Sequence, residues 1–179
     1  MDAQITGGAG MPDSWSRLWA PHRISYLAGE NRPLPDNEVP CPFCRIPTLG
    51  DVEGLIVARG ITAYVVMNLY PYNAGHLLIC SYRHVDDLTD LTDAERNEIL
   101  ELSAHSMRVL RKVANPAGFN LGMNQGAISG AGVPEHIHQH VVPRWSGDAN
   151  FMPVIGQTKV LSQLLQETRD ALSKNWNLV

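Results

Sequence analysis

The chain has 179 residues, of which 44% are hydrophobic and 18% charged, with a formal net charge of −4. These values describe one globular domain with extensions. They argue against a dedicated nucleic-acid binder, whose surface would be basic, and no apolar run reaches the ~18 residues of a transmembrane helix. The N-terminus lacks the basic start and apolar core of a secretory signal. Three cysteines, two of them in Cys41-Pro42-Phe43-Cys44, make no disulfide framework. The expected compartment is the cytoplasm, where C-x-x-C reads as metal or redox chemistry.

Residues 1–12 are glycine-rich and read as a disordered start. Residues 13–28 carry Trp15, Leu18, Trp19, Ile24, Tyr26 and Leu27, which predicts a short docking helix, and Pro33, Pro35 and Pro40 mark an extended connection. Residues 1–40 are therefore an N-terminal extension, 41–150 the main domain and 151–179 a C-terminal extension with a helix. Gly54–Arg59 and Thr62–Met67 are β-rich runs joined as a hairpin, and His76–Cys80 is a short buried strand that takes Cys80 into the core. Thr92-Asp93-Ala94-Glu95 is a capping box. It opens a helix whose apolar stripe runs through Ile99, Leu102, Ser106, Leu110 and Val113 to a stop at Asn115-Pro116. Asp86, Asp87, Asp90 and Asp93 suit the positive end of that helix. Phe119–Met123 and Ile137–Pro143 read as paired antiparallel strands, joined by a glycine-rich loop from Asn124 to Val133. A last helix is expected from about Lys159 to Leu172. Strands around one long helix make the fold class α+β.

The densest chemistry lies in His136-Ile137-His138-Gln139-His140-Val141-Val142. With a side-chain period of two, a strand projects all three imidazoles from one face and Ile137 and Val141 from the other. Gln139 goes with the opposite side, as a solvent-facing or interface residue. A single histidine is usually structural, but three in register are hard to explain as packing. Imidazole near neutral pH serves as nucleophile, acid, base or metal ligand. His140 should lie about 7 Å from His138 along the same face, at ~3.4 Å per residue. A phosphate oxygen fits between His138 and His140, giving His140 phosphate contact or leaving-group protonation. Glycines 126, 130 and 132 allow backbone N–H groups to converge on a phosphate, though a turn between strands explains them equally well; Asn124, Gly132 and the Val133 amide are the candidate positions for such a contact.

The run H-I-H-Q-H-V-V-P-R resembles the motif of the histidine triad family of nucleotide-processing enzymes, with Gln139 departing at an apolar position. The similarity extends back through residues 118–126, Asn68–His76 and Cys41–Ile46. It implies an antiparallel sheet with the long helix against it, and a likeness in the Arg144–Phe151 stretch to bacterial diadenosine tetraphosphate phosphorylases. By the same resemblance, His138 is the nucleophile that takes a nucleotidyl group from an α-phosphate, with a carbonyl of the glycine-rich region or its neighbours fixing its tautomer. Asn68 binds ribose, Phe43, Ile46 and Leu69 sandwich the base, and His76 either supports the triad or is plain core. Gly132 and Val133 stand where many relatives carry a hydrogen-bonding side chain, which makes Ser129 a candidate substitute. The resemblance also gives Cys41, Cys44, His84 and His136 as ligands of a structural Zn²⁺, with two free thiols as the alternative. Arg144 would meet distal phosphates and Trp145 a second nucleoside or a partner subunit.

The resulting expectation is phosphorolysis of diadenosine tetraphosphate to ATP and ADP, with inorganic phosphate as acceptor and no nucleic-acid or membrane partner. The alternatives are a phosphoramidase or a dinucleoside polyphosphate hydrolase releasing AMP, or a nucleotide sensor without turnover. A homodimer or larger homo-oligomer is implied through the long helix and its neighbouring strand.

Overall fold

The computed structural model describes residues 41–148 and 164–179. The helix expected within 13–28 and the proline-marked connection lie outside these residues. A short helix α1 (Pro42–Arg45) opens the described chain and runs into a 3-10 turn at Ile46–Thr48. Five strands follow: β1 (Ile56–Arg59), β2 (Ala63–Met67), β3 (Leu77–Ser81), β4 (Gly118–Met123) and β5 (His138–Arg144). They form one sheet in the order β1-β2-β3-β5-β4, with every neighbouring pair antiparallel. The 22-residue helix α2 (Asp93–Ala114) connects β3 to β4, and α3 (Leu165–Asn175) follows the sheet. The fold is α+β, as the sequence implied.

Period-two alternation sorts the side chains onto two faces. Ala63, Val65, Met67, Leu77, Ile79, Ile137 and Val141 join Ile99, Val109 and Leu110 of α2 and Leu172 of α3 in one core. Tyr64, Val66, Leu78 and Cys80 form a second cluster with Phe43 and Ile56. His138 pairs with Cys80 and His140 with Leu78, so these histidines belong to the second face. The helix has the predicted capping box: the Thr92 hydroxyl accepts from the Glu95 N–H, and the Glu95 carboxylate accepts from the Thr92 N–H. It stops where Asn115 turns left-handed at φ 46°.

Boundaries moved where tertiary hydrogen bonds override local propensity. Gly54 and Leu55 belong to a turn, because β1 meets β2 only from Ile56 onwards. The last helix begins at Leu165 and continues to Asn175, beyond the expected end at Leu172; residues 159–163 lie outside the described part. The buried Arg169 on this helix donates through Nε to the Ile56 carbonyl at 2.7 Å, tying the helix to the sheet's first strand. At Gly75, φ is +71° and an added Cβ would lie 3.1 Å from Leu110 Cδ2. Glycine there lets the chain turn tightly into His76 beneath α2.

Candidate active site

The site grows from the start of β5. Pairing with β3 ends at Cys80–His138, so His136 precedes the regular strand and its carbonyl lies outside the ladder. That carbonyl accepts a hydrogen bond from His138 Nδ1 at 2.8 Å. A carbonyl only accepts, so the proton of neutral His138 sits on Nδ1 and Nε2 keeps its lone pair. The tautomer is thus held by the residue two positions earlier rather than by the glycine-rich loop. Burial lowers the His138 pKa, with the His136 carbonyl working weakly against it, which favours the neutral form a nucleophile needs.

A second chain of hydrogen bonds fixes His140. The Tyr72 N–H donates to His76 Nδ1 at 3.0 Å, and Asn68 Nδ2 lies 3.2 Å from the same nitrogen. His76 Nδ1 is therefore an acceptor and its Nε2 carries the proton, which faces His140 Nδ1 at 2.9 Å. His140 must then hold its own proton on Nε2. That atom is buried and has no hydrogen-bond partner among the described residues. A buried unpaired donor costs about 1–3 kcal/mol, a cost offset when a substrate oxygen arrives. Burial, and secondarily the nearby His138, pushes the His140 pKa down to about 4. His76 is fully buried, yet its two ring nitrogens link the 68–76 loop to the triad.

The two ring systems are neighbours: His138 and His140 have centroids 4.9 Å apart. Phe43 lies 4.8 Å from the His138 ring, and its carbonyl accepts from the Tyr64 hydroxyl at 2.7 Å. Ile46 and Val133 pack against the same cluster. The structure therefore gathers Phe43, Ile46, Val133, His138 and His140. Leu69 is 60% exposed and does not belong to this cluster. The Asn68 side-chain oxygen accepts from the Tyr70 N–H at 3.0 Å, so the amide also shapes its own loop. Asn124 is half-buried at the end of β4, and Gly132 is exposed. Gln125 ties the glycine-rich loop down: its amide donates to Asp87 at 2.7 Å and accepts from the Leu88 N–H at 3.0 Å. Ser129 is turned to the Gly126 carbonyl at 2.7 Å, closing a local turn.

Two flanking residues are engaged internally. The Arg144 guanidinium forks onto Asp148 at 2.6 and 2.8 Å and onto Asn120 Oδ1 at 2.7 Å. The Trp145 indole N–H donates to the Ala114 carbonyl at 3.2 Å, satisfying an open carbonyl at the end of α2. Both side chains thus have partners within the fold. Gln139 is likewise half-buried, donating to the Gly122 carbonyl at 3.2 Å.

Beside His138 lies the metal-ligand set. One donor atom from each of Cys41, Cys44, His84 and His136 falls within 4.8 Å of all the others. The His136 Nδ1 sits 3.4 Å from Cys41 Sγ and 3.5 Å from Cys44 Sγ, and His84 Nδ1 sits 3.2 Å from Cys44 Sγ. Ligands of a tetrahedral zinc, at ~2.3 Å for sulfur and ~2.0 Å for nitrogen, stand roughly 3.3–3.8 Å apart. The cluster is close to that size. The His136 Nε2–H points to the Ser81 carbonyl at 3.0 Å, which leaves Nδ1 as the ligating nitrogen. Burial pushes the Cys41 thiol up to about 11, so a cation binding here would release protons. The residues fit a metal ion.

These features describe a candidate active site built on two neighbouring buried histidines beside a Cys/His cluster. A HIT domain model matches residues 52–147, and the chain belongs to the histidine triad (HIT) family. It is 48% identical over 172 residues to a Mycobacterium tuberculosis AP-4-A phosphorylase, covering 94% of this chain and 88% of that one. It also matches the asymmetrical bis(5'-nucleosyl)-tetraphosphatase of Schizosaccharomyces pombe, at 34% identity over 46% of this chain and 44% of that one. A Zn-bound histidine triad protein from Mycobacterium smegmatis shares the fold with a TM-score of 0.62 at 24% identity, covering 77% of this chain and 94% of the other. A histidine triad nucleotide-binding protein from Sulfolobus tokodaii does so with a TM-score of 0.63 at 20% identity, over 77% and 93%.

Proposed function

We propose that the protein cleaves diadenosine tetraphosphate by phosphorolysis. The observation that carries this reading is the pairing of a neutral His138, its Nε2 lone pair available, with the unpartnered Nε2–H of His140. The His138 nitrogen attacks the α-phosphorus of one adenosine. A phosphorus–nitrogen bond forms, the bridging phosphorus–oxygen bond breaks, and ATP leaves. An oxygen of inorganic phosphate then attacks the same phosphorus, releases ADP and restores His138. His140 donates to a non-bridging oxygen as charge develops. The 48% identity to a relative named for this activity supports the choice of substrate.

Phe43 and Ile46 form the base wall, with Leu69 at its rim. Asn68 meets the ribose, and Asn124, Gly132 and the Val133 amide surround the α-phosphate. Cys41, Cys44, His84 and His136 hold a structural Zn²⁺, whose four protein ligands leave no open position for water. Cys41 and Cys44 flank Phe43, so the same set anchors the base wall to the catalytic strand. A homodimer fits the exposed edge strand β4 with Leu121 and the exposed Leu100 of α2. Among the described residues no helix is long and apolar enough to cross a membrane, and the site of action we assign is the cytoplasm.

Chromatography of products with and without phosphate tests the reading. ATP plus ADP should appear only with phosphate; ATP plus AMP regardless of phosphate would make the protein a hydrolase.

A further inference from the structure

The 68–76 loop contributes an aromatic ring that the hydrogen-bond chain through its backbone does not require. Tyr72 stacks on His140 with centroids 5.4 Å apart and planes only 14° from parallel. It also touches His76, 4.7 Å away at 46°. Tyr72 is 52% exposed whereas His140 is 8% exposed, so the stack sets a solvent-facing ring against a buried imidazole.

We propose that Tyr72 is a positioning residue for His140: its ring fixes the imidazole plane and shields it from water, so that His140 meets the phosphate as a neutral Nε2–H donor. This rests on the functional reading above. Two independent contacts from one residue converge on the same result. The backbone N–H of Tyr72 sets the His76 tautomer, which in turn places the His140 proton on Nε2. The side chain then prevents rotation of the His140 ring and hydration of its buried face. The ionisable side chains packed against His140 are those of His138, His76 and Tyr72 itself. Among the described residues no carboxylate forms an ion pair with it. Its low pKa has burial as the first cause, and part of that burial is the tyrosine ring. A neutral donor stabilises charge on the phosphoryl oxygens while His138 stays unprotonated beside it; an imidazolium there would repel any proton gained by His138.

The contribution of the ring can be separated from that of the backbone, since a side-chain substitution leaves the Tyr72 N–H in place. Nitrogen-15 NMR of the full, substrate-free chain across pH reads the His140 tautomer and titration directly. In the wild type the proton should reside on Nε2; a proton on Nδ1 would overturn the proposal without any variant. In Tyr72→Ala the His140 midpoint should move up from about 4 toward 6.5. The same variant should lose about tenfold in kcat with KM changed less than about twofold, the pattern of a misplaced group that acts in the transition state. Tyr72→Phe, which keeps the ring, should restore both the midpoint and kcat to within about twofold of wild type. A wild-type midpoint and kcat in Tyr72→Ala, or a phenylalanine variant as impaired as the alanine one, contradicts the proposal. The titration needs no substrate. If no dinucleotide is turned over, the functional reading fails while the NMR result still decides what Tyr72 does to His140.

Discussion

His138 donates through Nδ1 to the carbonyl of His136, the residue whose own Nδ1 faces Cys41 and Cys44. One residue therefore holds the tautomer of the proposed nucleophile with its backbone and belongs to the metal-ligand set with its ring. Of the three alternating histidines, His136 lies with the Cys/His cluster, and His138 is hydrogen-bonded to it and in ring contact with His140.

Zinc should be bound at about one ion per chain, measured by elemental analysis. Cys44→Ser should lower the metal content and the thermal midpoint together. A loss of about 3 kcal/mol corresponds to roughly 6–12 °C in a chain of this size. Full stability with less than about half a zinc per chain would remove the metal from the account.

His140 makes a prediction for stability against pH. Its pKa in the fold is about 4 against an ordinary 6.5, so between these values the unfolded chain binds a proton that the folded chain refuses. The stability is fully present above about 6.5 and is lost as pH falls toward 4. Glu95, held down to about 2 by Arg83 first and by Thr92, acts in the same direction but only below its ordinary 4.5. Thermal melts of wild type and His140→Gln should diverge in the upper window, with the variant less sensitive to acid, and run parallel in the lower one.

The β1–β2 hairpin is held by a carboxylate from α2. Glu98 accepts from the N–H groups of Ile61, Thr62 and Ala63 and from the Thr62 hydroxyl. A Cβ added at Gly60 would fall 2.5 Å from Glu98 Oε1 and 2.9 Å from the Ala63 carbonyl. Gly60→Ala should cost about 1–3 kcal/mol. Combined with Glu98→Ala, whose own cost is about 1–2 kcal/mol for the freed hairpin donors, it should cost less than the sum, because each disturbs the same contact. Denaturant midpoints of the single and double variants measure this.

What the sequence revealed and what it concealed follow from the range of the interactions. The triad spacing, the Thr92 capping box and the C-x-x-C pair are local patterns, and the folded chain retains them. The acceptor for His138 was hidden because it depends on where the ladder with β3 ends, at Cys80–His138. Tyr72 carries no local signal either. It reaches His140 only because Gly75 turns the loop back and β3 pairs with β5. The bonds of Arg144 to Asp148 and of Trp145 to the end of α2 were likewise hidden, because they depend on where the chain folds back. A basic residue beside a candidate site cannot be assigned to phosphate until its carboxylate neighbours are known.

His138→Ala should reduce nucleotidyl transfer by on the order of 10³-fold or more, while nucleotide affinity, read by calorimetry, changes only a few-fold. The base wall and the glycine-rich loop remain in that variant. Retained turnover would exclude His138 as the attacking group.

The proposed reaction runs through a covalent nucleotidyl-His138 intermediate resolved by phosphate. The most direct measurement is intact-mass and peptide analysis of the wild-type protein mixed with diadenosine tetraphosphate without phosphate and quenched in alkali, where a phosphorus–nitrogen bond survives. One AMP per chain should be added on the peptide containing His138 and be lost as ADP when phosphate is supplied. An unmodified chain under turnover, or an adduct on another residue, would contradict it.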